Sequence, residues 1–249
     1  MKSTRKLIPA LAMLLVSAVM LSTASFAWLA SNKTVTAGSM TVQANTDVVY
    51  MQISKDNSES SWGITATADN ATSGKLELVN AQVDVDEVTW RTAVAGTTSA
   101  ATQSGGYTDV TTAATSTDSG VNKYTLINDF YVKMYGDYSL ENLRISDVSL
   151  GNGESIAENA FDEALRVLVV ASNVAGDTVH GIQIWDLGTK TFLTGSGATP
   201  LAEDVTDEVI KLTVYIYYDG DDARAFTDNL NTTAAKSLTV SFTADEPTA

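Results

Sequence analysis

Cysteine is absent from all 249 residues, which excludes disulfides, zinc–thiolate sites and thiol nucleophiles. Histidine occurs once, as His180, and neither H-E-x-x-H nor G-x-S-x-G is present, so zinc-peptidase and serine-hydrolase readings lose their main support. A lone histidine beside a probable turn, between Val179 and Gly181, reads as structural. Proline is confined to Pro9, Pro200 and Pro247, leaving the interior free for long hydrogen-bonded strands. Basic residues are scarce, 15 against 30 acids for a net charge of −15. Such a field repels nucleic acid and anionic membrane, and argues against either as a partner.

The few cations present are unevenly placed. Lys2, Arg5 and Lys6 precede an apolar stretch at residues 7–21, and Ser25-Phe26-Ala27 puts small residues at the −3 and −1 positions of a signal-peptidase site. Residues 1–27 therefore read as a signal peptide cleaved between Ala27 and Trp28, which makes the mature chain secreted, extracellular or displayed on the cell surface. Cleavage removes three cations and no acid, taking −15 to −18. An uncleaved anchor over residues 7–30 is the competing reading, since a bilayer span needs about 20 mostly apolar residues. Polar Ser22, Thr23 and Ser25 end the apolar run where a cleavage region begins, and favour removal. Contact with the membrane is expected only through this segment.

Alternation with a period of two dominates the mature chain. Met40, Val42 and Ala44 alternate with polar neighbours, as do Ala81, Val83 and Val85, and Leu238, Val240 and Phe242. One set of side chains in each is predicted to point inward. Residues 167–171 form a continuous apolar run, and Leu212, Val214, Ile216 and Tyr218 alternate with Thr213, Tyr215 and Tyr217, so both faces of those strands are predicted to be covered. Further strands are expected at 48–53, 64–68, 76–79, 124–134, 143–148 and 182–185. Roughly ten strands with Gly, Asn and Asp turns predict an all-β domain, a two-sheet jelly-roll-like β-sandwich spanning residues 45–249. One or two short connecting helices are expected, one from the Ser155/Glu158 capping box and one over residues 222–230. Residues 97–122, rich in Thr, Ser, Ala and Gly, read as a long exposed loop, either a plain insertion or a binding loop.

Cofactor chemistry has little to rest on. Asp219-Gly220-Asp221-Asp222 is the densest acidic group and a weak calcium candidate; it lacks EF-hand spacing and a closing Glu. The competing reading makes Asp221 or Asp222 a helix cap. No other metal and no organic cofactor is expected. A glycosidase-like carboxylate pair is not excluded by counting, because its defining separation is geometric. N-x-T sequons at Asn32, Asn70 and Asn231 matter only in a host that modifies them.

The stretch from Ala27 through Trp28-Leu29-Ala30-Ser31-Asn32-Lys33 into Thr34-Val35-Thr36-Ala37-Gly38-Ser39-Met40-Thr41-Val42 resembles the start of the TasA and camelysin group of secreted Gram-positive proteins. An apolar signal ending in Ala, an aromatic at the mature start and a T-x-x-A-G-x-Φ-x-Φ strand, with Φ apolar, carry the resemblance. Residues 209–244 are similar to the closing strands of related clostridial secreted proteins. The resemblance implies a jelly roll, matrix or biofilm fibres, and subunits joined when the mature N-terminal strand of one enters the sheet of the next. It implies partners in the form of further copies, a signal peptidase and accessory matrix proteins. The usual aromatic-Phe-Ser start is Trp28-Leu29-Ala30 here, and no zinc ligands match the metallopeptidase label of some relatives, so that activity is not carried over.

The residues themselves point the same way. Once cleaved, residues 28–37 begin at a free end and contain Val35 between two threonines, a β-favouring piece with no turn partner behind it. Such a tail can add to another subunit's sheet edge, with Trp28 and Leu29 filling apolar pockets. Trp28, Leu29, Val35, Met40 and Val42 are the candidate donor strand and its root, within residues 28–44. The alternatives are a tail paired inside its own domain, and a monomeric module binding polysaccharide through residues 97–122 and exposed Trp62, Trp90 and Trp185. No enzymatic activity is expected.

Overall fold

The computed structural model describes residues 40–45, 51–68, 76–92, 107–117, 123–134, 141–151, 156, 161–193, 199–203, 209–225 and 237–245, with side chains from residue 51 onward. Its strands are β1 (Met40–Asn45), β2 (Met51–Ser54), β3 (Thr65–Thr67), β4 (Asn80–Asp84), β5 (Glu87–Thr92), β6 (Thr108–Asp109), β7 (Leu126–Met134), β8 (Glu141–Leu150), β9 (Leu165–Asn173), β10 (Val179–Asp186), β11 (Thr191–Phe192), β12 (Ile210–Tyr218) and β13 (Leu238–Asp245). A four-stranded sheet runs β3-β1-β13-β8 and a six-stranded sheet runs β11-β10-β9-β12-β7-β2. They face one another across one large core to which Ile145, Val148, Val240 and Phe242 contribute from one side, and Phe130, Val167, Val169, Leu212 and Val214 from the other. The domain is an all-β sandwich, as its alternating pattern requires.

A third layer was not predicted. β4, β5 and β6 form a small antiparallel sheet that covers part of the outer face of the six-stranded sheet. Val79, Trp90, Ala114, Tyr124, Leu168, Ile182, Ile184 and Tyr217 make a second core there. This is why β9 and β12 are apolar or aromatic on both faces: Val167 and Val169 enter the first core and Leu168 the second, while Tyr217 meets Trp90 edge-on at 5.0 Å between ring centroids. Strand β5, absent from the expected set, supplies the Trp90 that fills this layer.

Several expectations are corrected. Of Ala81, Val83 and Val85, only Ala81 packs inward, against the second core. Val83 is 40 % and Val85 83 % exposed, because the β4–β5 hairpin overruns the surface that it covers. Residues 76–78 form no strand: the Glu77 amide donates to the Lys123 carbonyl and the Leu78 carbonyl accepts from the Thr92 hydroxyl, while Val79 bridges in parallel to Asp219. Within the expected loop at 97–122, β6 and a one-turn helix (Thr111–Ala114) are ordered around a buried Ala114. Residues 97–106 and 118–122 of that loop lie outside the described residues. Of the two expected helices, a 3₁₀ turn at Phe161–Ala164 and reverse turns at 219–224 are described, and the capping-box Ser155 and Glu158 are outside.

Candidate functional site

The N-terminal strand is built into the four-stranded sheet. β1 lies parallel to β13, with Met40 opposite Leu238 and Val42 opposite Val240, and antiparallel to β3, with Val42 opposite Ala66. Val42 thus has partners in its own chain on both edges and Met40 on the β13 side, so that this stretch could join another copy only by exchange of β1. Ala27, Trp28, Leu29 and Val35 lie outside the described residues, as do the signal segment and the cleavage point.

An added strand needs an edge, and most edges here are blunted. β3 and β11 have three and two residues. β2 is closed in part by Gly63, which donates to Ile53 at 3.0 Å and accepts from it at 2.7 Å. β8 is the long exception, ten residues at the end of its sheet. Its first half is covered by a strap at residues 199–202. Leu143 donates to the Ala202 carbonyl at 2.9 Å and accepts from the Leu201 amide at 2.6 Å. Gln183 on β10, fully buried, accepts from the Ile145 amide through Oε1 at 2.9 Å and donates from Nε2 to the Thr199 carbonyl at 2.9 Å. One side chain therefore fastens both sheets and the strap. A bulge at Ser146 follows, and beyond it residues 147–150 have no outer partner among the described residues. Short or covered edges suppress indiscriminate pairing.

The acidic turn after β12 is occupied by arginine. Arg166 on β9, 3 % exposed, reaches Asp222 Oδ2 at 2.5 Å through Nη2 and Asp186 Oδ1 at 3.1 Å through Nη1, with Asp219 Oδ2 3.6 Å from Nε. Nη1 also donates to the Glu163 and Leu165 carbonyls. Arg224 grips Asp222 with Nε and Nη2, each at 2.7 Å, and Glu163 with Nη1 at 2.8 Å. Asp221 turns elsewhere and accepts from the Tyr107 hydroxyl at 2.7 Å. Of the three carboxylates of the calcium candidate, Asp219 and Asp222 face guanidinium groups and Asp221 faces the Tyr107 hydroxyl. Among the described residues no three His, Asp or Glu side chains converge to hold a metal. Burial pushes Asp219 above its ordinary value, against bonds from the Asp221 amide and Asn80 that pull it down. At Asp222 burial also pushes upward but the bonds from Arg224 and Arg166 outweigh it, and the carboxyl is held low. The cluster joins the 3₁₀ turn, β9, β10 and the turn after β12, and acts as a brace.

The tryptophans separate. Trp90 is fully buried and Trp185 packs inside the first core, edge-on to Phe192 at 5.0 Å, so neither is an exposed ligand platform. Of the three, Trp62 alone remains accessible, half-buried beneath the Lys133 ammonium, which lies 4.2 Å from its ring centroid. His180 is exposed beside the β10 bulge. Arg166 and Gln183 were missed; the signal for Arg166 was a single cation at the head of the apolar run over residues 167–171, matched by Asp186 and Asp219 at the ends of two other apolar strands.

Comparison with known proteins finds no matching family model, no matching curated protein and no matching solved structure.

Proposed function

We propose that the chain is the secreted structural subunit of an extracellular fibre or surface matrix, of the TasA-like kind, assembling head to tail by exchange of its N-terminal strand. The observation that carries this reading is the slot between β13 and β3. It is filled by the first described strand of the chain, which pairs with β3 over only three residues and runs parallel to the last strand. A strand near a chain end leaves its slot without threading a loop, and the same strand of a second copy satisfies the same backbone groups. Exchange of identical elements is a low-cost route to association, and when the contact is heterologous it propagates rather than closes. Residues 28–39 then extend the exchanged strand across the neighbour, where Trp28, Leu29 and Val35 add apolar burial.

The rival reading, a monomeric polysaccharide-binding module, loses two of its three aromatic contacts because Trp90 and Trp185 are core residues. Deleting residues 28–37 from the mature chain tests the assembly reading. The intact mature chain is expected to form filaments in negative-stain micrographs and the deleted chain to remain short or monomeric. Filaments of equal length and yield from both chains would overturn it.

A further inference from the structure

Two surface features are each anomalous alone and complementary together. The first is the tip of the β4–β5 hairpin. Asp84 stands directly opposite Glu87 in the register, with Val85 and Asp86 between them in the turn. Like charges in direct cross-strand contact are destabilising, and no cation approaches these three carboxylates among the described residues; Asp84 accepts only the Val85 amide. Val85, 83 % exposed, is the most exposed large apolar side chain described.

The second is the part of the six-stranded sheet's outer face that the third layer leaves uncovered. Tyr131 and Lys133 on β7 alternate with core residues Phe130 and Val132, and Lys211 is the direct cross-strand neighbour of Tyr131. Lys133 lies over Trp62 and has no carboxylate partner among the described residues. Lys211 is paired with Asp129 Oδ2 at 2.9 Å, while Asp129 Oδ1 accepts from Thr213 at 2.7 Å. The strands therefore contribute two lysines, one carboxylate and aromatic surface at this place, a local excess of positive charge on a chain of net −15. At that net charge copies repel one another unless opposite charges meet locally.

We propose that the strip formed by Trp62, Tyr131, Lys133 and Lys211 is a docking surface for the β4–β5 hairpin tip of a second copy. Val85 packs on the Trp62 and Tyr131 rings, while Asp84, Asp86 and Glu87 surround the two ammonium groups, relieving the repulsion within the hairpin. Tip and strip are different surfaces, so the contact is heterologous and each subunit keeps one of each for the next. This rests on the self-associating reading above and adds a lateral or stacking contact that does not use β1.

The test uses the mature chain, the same chain lacking residues 28–37, and Val85→Asp, Lys133→Glu and the combined Lys133→Glu/Asp86→Lys substitutions in each, with circular dichroism to verify folding. Sedimentation velocity is expected to show association at least tenfold weaker for Val85→Asp and for Lys133→Glu, recovery in the combined variant, and weakening of the wild-type contact between 50 and about 500 mM salt as the charges are screened. In the chain lacking residues 28–37, residual association that Val85→Asp removes supports the proposal even if strand exchange is absent. Loss of all association on deleting residues 28–37, with Val85→Asp and Lys133→Glu inert in the mature chain, would overturn the docking contact and leave strand exchange standing. Failure of the combined variant to recover would also overturn it. So would a Lys133→Glu chain that self-associates normally but loses binding of added poly-glutamic acid, since the occupant would then be a foreign acidic polymer.

Discussion

Arg166 is the residue on which most opposing charge converges, and its surroundings carry opposite pH signs on neighbouring carboxylates. Asp222 is held below its ordinary 3.8 in the fold, so its contribution to stability is present above 3.8 and is lost as pH falls through the folded value. Asp219 is raised above 3.8 by burial. Its contribution is complete below 3.8 and declines as pH rises through the folded value. Asp222→Asn is accordingly expected to cost about 3 kcal/mol at pH 7, because it strips a buried partner from two guanidinium groups, with the deficit shrinking in acid below 3.8. Asp219→Asn is expected to gain on the wild type as pH rises from 3.8 to 7. Urea unfolding across that range measures both; parallel pH profiles for the two variants would contradict this account of the brace. The same cluster illustrates what sequence can and cannot carry. Asp219-Gly220-Asp221-Asp222 is conspicuous as a string and suggests a cation. That the cation is an arginine 53 residues earlier than Asp219 depends on the antiparallel pairing of β9 with β12, which sets Tyr217 opposite Arg166.

At the scale of elements, period-two alternation located the long strands because their side chains face a core on one side and water or a second core on the other. Leu238, Val240 and Phe242 behave as the pattern requires. The pattern failed at β4, where Val83 and Val85 alternate correctly but extend past the surface beneath, and at β5, where only Val88 and Trp90 alternate among two charges and two threonines. Which elements stack is settled by tertiary contacts that local periodicity does not encode, so a third layer was invisible. The β8–β10 margin depends on similarly non-local polar contacts. Gln183→Leu is expected to leave the buried Ile145 amide without a partner, at about 1–3 kcal/mol, and to free the Thr199 carbonyl of the strap. Gly181→Ala is expected to destabilise through the strap, since a Cβ at 181 would stand 2.4 Å from the Pro200 carbonyl oxygen and 2.8 Å from that of Leu201. Both variants should raise hydrogen exchange at Leu143 and Ile145, whose outer amides the strap and Gln183 protect. Unchanged exchange there would mean that the margin of β8 is held by something else.

For the whole molecule, the design is a braced β-sandwich whose first described strand occupies an interior place in its sheet. The proposal of an exported, fibre-forming subunit that exchanges strands rests on the expected leader, the resemblance and that place in the sheet taken together. The assembly proposal has one premise, that the β1 found between β13 and β3 in an assembled sample comes from a neighbour. The cysteine-free chain makes this directly measurable. With cysteines introduced at Val42 and Ala66, direct partners across β1 and β3, oxidation of assembled protein followed by a non-reducing denaturing gel reads the origin of each β1. A ladder of covalently linked multimers is the expected result; bridges formed only within single chains, in samples that contain filaments, would contradict strand exchange.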